Sequence, residues 1–259
     1  MAENLDLVGG LSVSHARASD TGQQRSHNED AVGFYAGPGH PASSCLLVIA
    51  DGVGGNNAGE VASLMAVETT ARVYYSCGEP DDVSGTLADA MQEANDTIVA
   101  AATANPLLAG MATTCTCAVI HSRGVTLGHV GDCRAYLVHD GRLECLTRDH
   151  TLAAEYPDDS LAGEERDRLS NVLSRWLGLD GEVEPDLRGC TRCPDEGTLV
   201  LVSDGLTKVV SDEEILEVVA AQDPDDACVA LVDMANDRGG PDNITVQIAH
   251  LAPGNAGDQ

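Results

Sequence analysis

Residues 111–146 read MATTCTCAVIHSRGVTLGHVGDCRAYLVHDGRLECL. The apolar pattern in this stretch has a period of two, the spacing of a strand with one buried face. SRG (122–124) and HDGR (139–142) interrupt it as turns, which predicts a meander of three antiparallel strands. Cys115 and Cys117, two residues apart, then share a face and suit core packing better than ligation.

On the N-terminal side, LSVSHARA (11–18) and AVGFYAG (31–37) are short alternating runs, and CLLVIA (45–50) is a continuous run of the kind buried on both faces. Two helices follow. In AGEVASLMAVETTARVYYS (58–76), Val61, Leu64, Met65, Thr69 and Val73 recur at helical spacing; over about 83–103, Leu87, Met91, Ala94 and Ile98 form one stripe. On the C-terminal side, residues 147–190 are charged and irregular, an exposed excursion with a short helix expected over SNVLSRWLGL (170–179). TLVLVSDG (198–205) is another buried strand. SDEEILEVVAA (211–221) opens with a serine N-cap and an acidic first turn, DPDDACVALVDMANDRG (223–239) is a helix ended by glycine, and DNITVQIAHL (242–251) is a closing strand. Eight to ten strands with helices in pairs predict an α+β fold of two antiparallel sheets flanked by helices. No repeat or linker divides the chain, so one domain is expected over 1–259, with a core of about 12–251 and a frayed tail at 252–259.

Composition narrows the function. Forty-two acidic residues against 14 basic ones give a net charge of −28, and Lys208 is the single lysine. Such a field repels nucleic-acid backbones and anionic lipid and attracts divalent cations, so neither nucleic acid nor membrane is an expected partner. Residues 1–10 have neither a basic region nor a long apolar run, and no stretch reads as a membrane span, so a cytoplasmic protein is expected. Nine cysteines are consistent with reduced thiols there. Cys190 and Cys193 have metal or redox spacing, but no second CxxC completes a zinc site, and an ordinary loop is the simpler reading.

The chemistry lies where strands end. Apolar runs lead into Asp51 in VIADG, Asp132 in HVGD and Asp204 in LVSDG, and Asp242 in GGPDN begins the last strand. A lone Asp-Gly is as easily a hairpin turn; the repetition at strand ends is what points to a shared pocket. Clustered carboxylates raise each other's pKa values unless a cation compensates, and an all-oxygen donor set selects Mg²⁺ or Mn²⁺ over zinc. A phosphate cradle fits poorly, because DGVGGNNAGE (51–60) contains neither GxGxxG nor a P-loop lysine.

RSHNEDAVGFY (25–35), VIADGVGGNNAGEVAS (48–63), MATTCTCAVI (111–120), GHVGDCRAYL (128–137), LTRDHTLAAE (146–155), NVLSRWLGL (171–179), LVSDGLTKVVSDEEI (201–215) and GGPDNITVQIAHL (239–251) run in the order of one known family. Over about 12–251 the chain resembles the metal-dependent serine/threonine protein phosphatases of the PPM (protein phosphatase 2C) type, most closely the compact bacterial branch. The resemblance implies a four-layer α-β-β-α sandwich and hydrolysis of phosphoserine and phosphothreonine in proteins by a metal-activated water. It implies two core Mn²⁺ or Mg²⁺ ions and a weaker third. Asp51 matches the aspartate bridging the core metals and Gly52 a carbonyl ligand. Glu29 and Asp30 match the acidic pair at the first metal, with Glu29 acting through water, and Asp204 and Asp242 the carboxylates of the second. Asp132 matches the partner of Asp204 at the third metal, Arg25 the phosphate-binding arginine, and Asn243 a residue supporting the ligands. Expected partners are phosphoproteins, including a cognate serine/threonine kinase or its substrates.

Position 53 departs from many eukaryotic relatives, which have a histidine that looks like the general acid; Val53 cannot donate a proton. His27 could assist, although a solvent-facing loop histidine is the simpler reading. Residues about 151–172 fall at the family's flap, whose acidity would favour basic sequence around the phosphosite or would be merely solvated. Two other functions compete: a phosphohydrolase of small phosphate esters, and a phosphoprotein-binding pseudophosphatase, which would have little use for so many mutually repelling aspartates.

Overall fold

The computed structural model describes residues 3–7, 11–36, 44–53, 58–78, 80–121, 124–156, 163–191 and 196–253. In these segments the strands are β1 (Glu3–Leu7), β2 (Leu11–Asp20), β3 (Asp30–Tyr35), β4 (Ser44–Val53), β5 (Ala112–Thr113), β6 (Cys115–His121), β7 (Gly124–Val130), β8 (Arg134–His139), β9 (Arg142–Cys145), β10 (Asp186–Thr191), β11 (Gly197–Val202) and β12 (Ile244–Pro253). The helices are α1 (Ala58–Ser76), α2 (Val83–Ala104), α3 (Gly163–Ser170), α4 (Asp204–Thr207), α5 (Asp212–Ala221) and α6 (Pro224–Asp237).

One six-stranded sheet runs β1-β2-β12-β11-β8-β9; the other runs β10-β7-β6-β4-β3, with β5 also paired to β4, and every pairing is antiparallel. Three apolar layers hold four structural layers together. Leu46, Val48, Leu87, Met91 and Ile98 lie between the second sheet and α1–α2. Leu47, Ile49, Ile120, Leu199 and Leu201 lie between the sheets. Tyr136, Val200, Ile215, Leu231 and Val246 lie between the first sheet and α5–α6. Alternation on β4 explains the division: Leu46 and Val48 face the helices while Leu47 and Ile49 face the other sheet, so a strand buried on both faces reads as one continuous apolar run.

The expected single meander over 111–146 is instead two hairpins in different sheets. β6 and β7 belong to one sheet and β8 and β9 to the other, and the chain crosses between them at Gly131–Cys133. Gly131 makes the crossing with φ +114°, and a Cβ there would lie 2.4 Å from Thr114. Period two identifies strands but not which sheet each joins.

The face of α1 also differs from expectation. Of the expected stripe, Thr69 is buried and Val61 and Met65 pack against the core, but Leu64 is exposed, and the buried face is mainly Ala62, Ser63, Ala66, Val67, Thr70 and Tyr74, small side chains permitting close approach to both the sheet and α2. The α2 stripe is fully buried as expected. The helix expected over 170–179 is absent: α3 ends at Ser170, and Leu177 exchanges two backbone hydrogen bonds with Thr113. Asn95 Oδ1 accepts from the backbone N–H groups of Gly178 and Leu179, so tertiary partners override local helix preference. Strands β1 and β10, both at sheet edges, were not anticipated.

Candidate active site and metal centre

All the candidate acids stand at one end of the sandwich. Asp51 is near the end of β4, Asp30 begins β3 directly opposite it, Asp132 occupies the sheet crossing after β7, Asp204 follows β11 as the first residue of α4, and Asp242 precedes β12. One ligand oxygen from each of Asp51, Asp132 and Asp204 lies within 4.8 Å of the other two. Together with Arg25, Glu29, Gly52, Val53, Lys208, Asp242 and Asn243, they line a cleft of about 690 Å³.

The backbone around Asp51 is pinned from two sides. Its N–H donates to Thr114 Oγ1 at 2.8 Å, and its carbonyl accepts from Thr114 N at 2.9 Å and Thr113 Oγ1 at 2.9 Å. Gly52 N–H donates to Glu29 O at 3.1 Å, and a Cβ on Gly52 would come within 2.3 Å of Gly59 O, so only glycine fits where the chain turns towards α1. Asp30 Oδ2 accepts from Ser203 Oγ and Thr245 Oγ1, both at 2.7 Å.

Asn243 holds the loop that carries Arg25 and Glu29. Its Nδ2 donates to Thr21 O at 2.8 Å and His27 O at 2.9 Å, and its Oδ1 accepts from Glu29 N at 2.8 Å. Arg25 Nη2 donates to Asp242 Oδ2 at 2.8 Å while most of its side chain stays exposed. His27 is exposed and its Nδ1 bonds Ser26 Oγ. Val53 is 44% exposed at the cleft wall.

Electrostatics follow from crowding. Burial, then the neighbouring carboxylates, push Asp51 well above the usual carboxylate value. Burial lifts Asp30 to about 7 against the opposing Thr245 and Ser203 hydrogen bonds, and lifts Asp132 to about 7 with help from Asp204. Glu29 is raised by burial, and so is Asp204 although Lys208 opposes it. Burial also pushes Asp242 up, but the cations Lys208 and Arg25 outweigh it and leave its pKa below the ordinary value. Asp30 Oδ1 and Asp204 Oδ1 are buried without a hydrogen-bond partner, as oxygens meant for another positive ligand would be. An all-oxygen set with orphaned carboxylate oxygens fits hard divalent ions such as Mn²⁺ or Mg²⁺.

The family profile for protein phosphatase 2C matches residues 20–223. The chain belongs to the protein phosphatase 2C family. Among phosphatases of this family it is 36% identical over 245 residues to "Serine/threonine protein phosphatase PstP" of Mycobacterium tuberculosis, a match covering 93% of this chain and 45% of that protein. It is 34% identical over 241 residues to "Serine/threonine phosphatase stp" of Listeria monocytogenes, covering 88% of this chain and 92% of that one. Thus the chain spans a little under half of the mycobacterial relative and nearly all of the listerial one. Among solved structures, the catalytic domain of PstP in complex with two manganese ions superposes with a TM-score of 0.81 at 34% identity, covering 93% of this chain and 99% of that one. The protein phosphatase 2C fold of two antiparallel sheets flanked by helices is therefore shared.

Several groups at the site escaped sequence reasoning. Lys208 Nζ lies 2.6 Å from Asp204 Oδ2 and 2.7 Å from Asp242 Oδ2. Its signal was available: the single lysine stands four residues after Asp204, one helical turn away. Ser203, Thr245, Thr113 and Thr114, which fix Asp30 and Asp51, carried no motif of their own. Of the expected flap (about 151–172), residues 157–162 lie outside the described residues, and Asn171 and Val172 line the cleft together with Leu173 and Trp176 just beyond it. Cys193 and the side chain of Cys190 also lie outside the description. Cys115 and Cys117 are buried core thiols.

Proposed function

We propose that this chain is a metal-dependent protein serine/threonine phosphatase, hydrolysing phosphoserine and phosphothreonine in proteins at a centre of two Mn²⁺ or Mg²⁺ ions. The observation that carries this is the convergence of Asp51, Asp132 and Asp204 at the floor of a cleft with Arg25 at its rim. Asp51 would be the carboxylate shared between the ions, with Gly52 offering its carbonyl. Glu29, through water, and Asp30 would hold the first ion, Asp204 and Asp242 the second, and Asp132 with Asp204 a weaker third. When bound, such ions would supply a water acidic enough to serve as the nucleophile at neutral pH.

The remaining steps belong to the side chains. Arg25 presents its guanidinium to phosphoryl oxygens, a geometry suited to two parallel hydrogen bonds, and does so by leaving Asp242. Asn243 keeps Arg25 and Glu29 in register with β12 through its three hydrogen bonds. Val53 contributes no proton, so the departing alkoxide is protonated from solvent rather than by a residue at that position.

The substrates are phosphoproteins. Because every phosphoserine or phosphothreonine is made by a kinase, we count a serine/threonine kinase or its targets among them. We treat 1–259 as one catalytic domain, a reading supported by β2 pairing with β12 across the whole chain, and place it in the cytoplasm. Among the described residues, Cys77, Cys115, Cys117, Cys133, Cys145 and Cys228 are free thiols, which suits a reducing compartment, and no helix is long and apolar enough to cross a membrane. Turnover on phosphothreonine peptides compared with small sugar phosphates tests the substrate class. The peptides should be hydrolysed with the higher kcat/KM, and a preference for the small esters would replace this reading with the small-ester one.

A further inference from the structure

Lys208 has no role in the chemistry above, yet it is the most tightly engaged cation of the site. It follows α4 directly, and its backbone N–H donates to Asp204 O at 2.9 Å, which fixes its Cα one turn beyond Asp204. Leu206 and Val210 on either side are buried and anchor the segment. From that position the ammonium reaches Oδ2 of both Asp204 and Asp242. Burial alone would lower the lysine's pKa, but the two carboxylates outweigh it and hold the group firmly charged.

We propose that Lys208 is an internal cation that competes with the second metal ion for Asp204 and Asp242, so that occupancy of that position is set by breaking an ion pair within the chain. This rests on the reading of Asp204 and Asp242 as ligands of that ion. The two oxygens that Lys208 engages come from the two carboxylates assigned to one metal. Lys208 holds Oδ2 of each carboxylate while Asp204 Oδ1 stays unpartnered, and a divalent ion bound to the same two carboxylates beside a contact ammonium would meet strong cation–cation repulsion. The ammonium is on a flexible stem and its side chain is 28% exposed, so it can withdraw towards solvent when the metal enters. Arg25 also touches Asp242 Oδ2, but it does not reach Asp204 by any ion pair among the described residues.

Competition makes two measurements move in opposite directions. Removing the ammonium should tighten the second metal and weaken the metal-free protein, whose carboxylates lose their partner. Isothermal titration of the chelated and desalted full chain with MnCl₂ reads the first, and the melting temperature in EDTA reads the second. The variants are Lys208→Met, which keeps the stem without charge, and Lys208→Gln, which keeps a hydrogen-bonding end. Both should bind the weaker of the two core Mn²⁺ ions about tenfold more tightly than wild type, equivalent to ~1.4 kcal/mol, and both should melt lower in EDTA. An affinity unchanged within twofold, a weaker affinity, or an EDTA melting temperature at or above that of wild type would overturn the proposal. Asp204→Asn separates this from the underlying reading: it should lose the weaker Mn²⁺ step. If wild type shows no saturable Mn²⁺ binding, or Asp204→Asn retains both steps, the metal assignment fails and the lysine proposal falls with it. If those controls behave and Lys208→Met does not, only the lysine proposal falls.

Discussion

Asp30 and Asp51 stand directly opposite each other in the β3–β4 ladder, so a backbone register holds side by side two carboxylates that repulsion would separate. Ser203 and Thr245 clamp Asp30 from the other sheet, and Thr114 pins the backbone of Asp51. The fold thus supplies a rigid, electrostatically unfavourable frame whose natural complement is a divalent cation.

Asp51→Asn should therefore separate stability from activity. Metal-supported hydrolysis of an aryl phosphate should fall by about 10³-fold, because the shared carboxylate is lost. In EDTA at neutral pH the variant should be more stable than wild type by about 1 kcal/mol, since the fold no longer has to protonate or bury the charge of this crowded carboxyl. Chemical denaturation in EDTA checks the second half.

The pH dependence of metal stabilisation has a definite sign. Asp30 and Asp132 have folded-state values near 7, raised above those of unfolded aspartate, and Asp51 is raised well above the ordinary value. Between about pH 4 and pH 7 the chelated fold binds more protons than the unfolded chain, so this cluster's stabilising contribution is complete at low pH and is lost as pH rises through 7. Metal needs the same carboxylates deprotonated. Buried His15 and His129, both lowered to about 4, act in the opposite sense as pH falls below 6.5, but they contribute to both states and cancel in the difference. The gap in melting temperature between Mn²⁺-loaded and EDTA-treated protein should widen from pH 5 to pH 7.5. A constant or narrowing gap would contradict this linkage.

Arg25→Ala should lower kcat/KM on a phosphothreonine peptide by about 10- to 100-fold while leaving the melting temperature within about 1 °C, because the side chain is largely exposed and its ion pair is at the surface. Arg25→Lys should recover only part of the loss, since an ammonium cannot offer the fork.

Val53→His should shift the acid or alkaline limb of the kcat profile without abolishing turnover, as the position is exposed at the cleft wall and the proposed reaction uses no donor there. A folded variant with no turnover would contradict the view that residue 53 is dispensable.

Gly205→Ala should destabilise the protein by about 3 kcal/mol, because the added Cβ would sit 2.0 Å from Asn243 O in a stretch with little room to move. Gly141→Ala is the contrast: its Cβ meets nothing within 4 Å, so only the strain of φ +68° remains, a penalty of about 1 kcal/mol.

Much of this was legible in the sequence because strand ends announce themselves. Apolar runs stopping at Asp51, Asp132 and Asp204 placed three carboxylates at the ends of elements, and the serine N-cap at Ser211 with its acidic first turn marked the start of α5, where the structure adds a capping box with Glu214. What was not legible depended on partners distant in sequence. Residues 134–145 have the same alternation whichever sheet they join, and only the crossing at Gly131 decides. Leu173 and Leu177 are drawn into bridges with Thr151 and Thr113, so a segment with helical spacing is extended. The face of α1 that packs on α2 and the sheet is built mostly of small residues, which carry little apolar signal, while Leu64 points away from it. At the site, the hydroxyls of Ser203 and Thr245 matter only because β11 and β12 bring them to Asp30. Lys208 could have been placed from its spacing to Asp204, but its bond to Asp242 required the fold.

The most direct test of the central claim is hydrolysis of a phosphothreonine peptide by the full chain under three conditions: with Mn²⁺, with excess EDTA, and with Mn²⁺ in the Asp204→Asn variant. Turnover should be present in the first, absent in the second and restored by added Mn²⁺, and reduced by at least about 100-fold in the third. Turnover that survives either chelation or the substitution at wild-type level would contradict a two-metal phosphatase built on these aspartates.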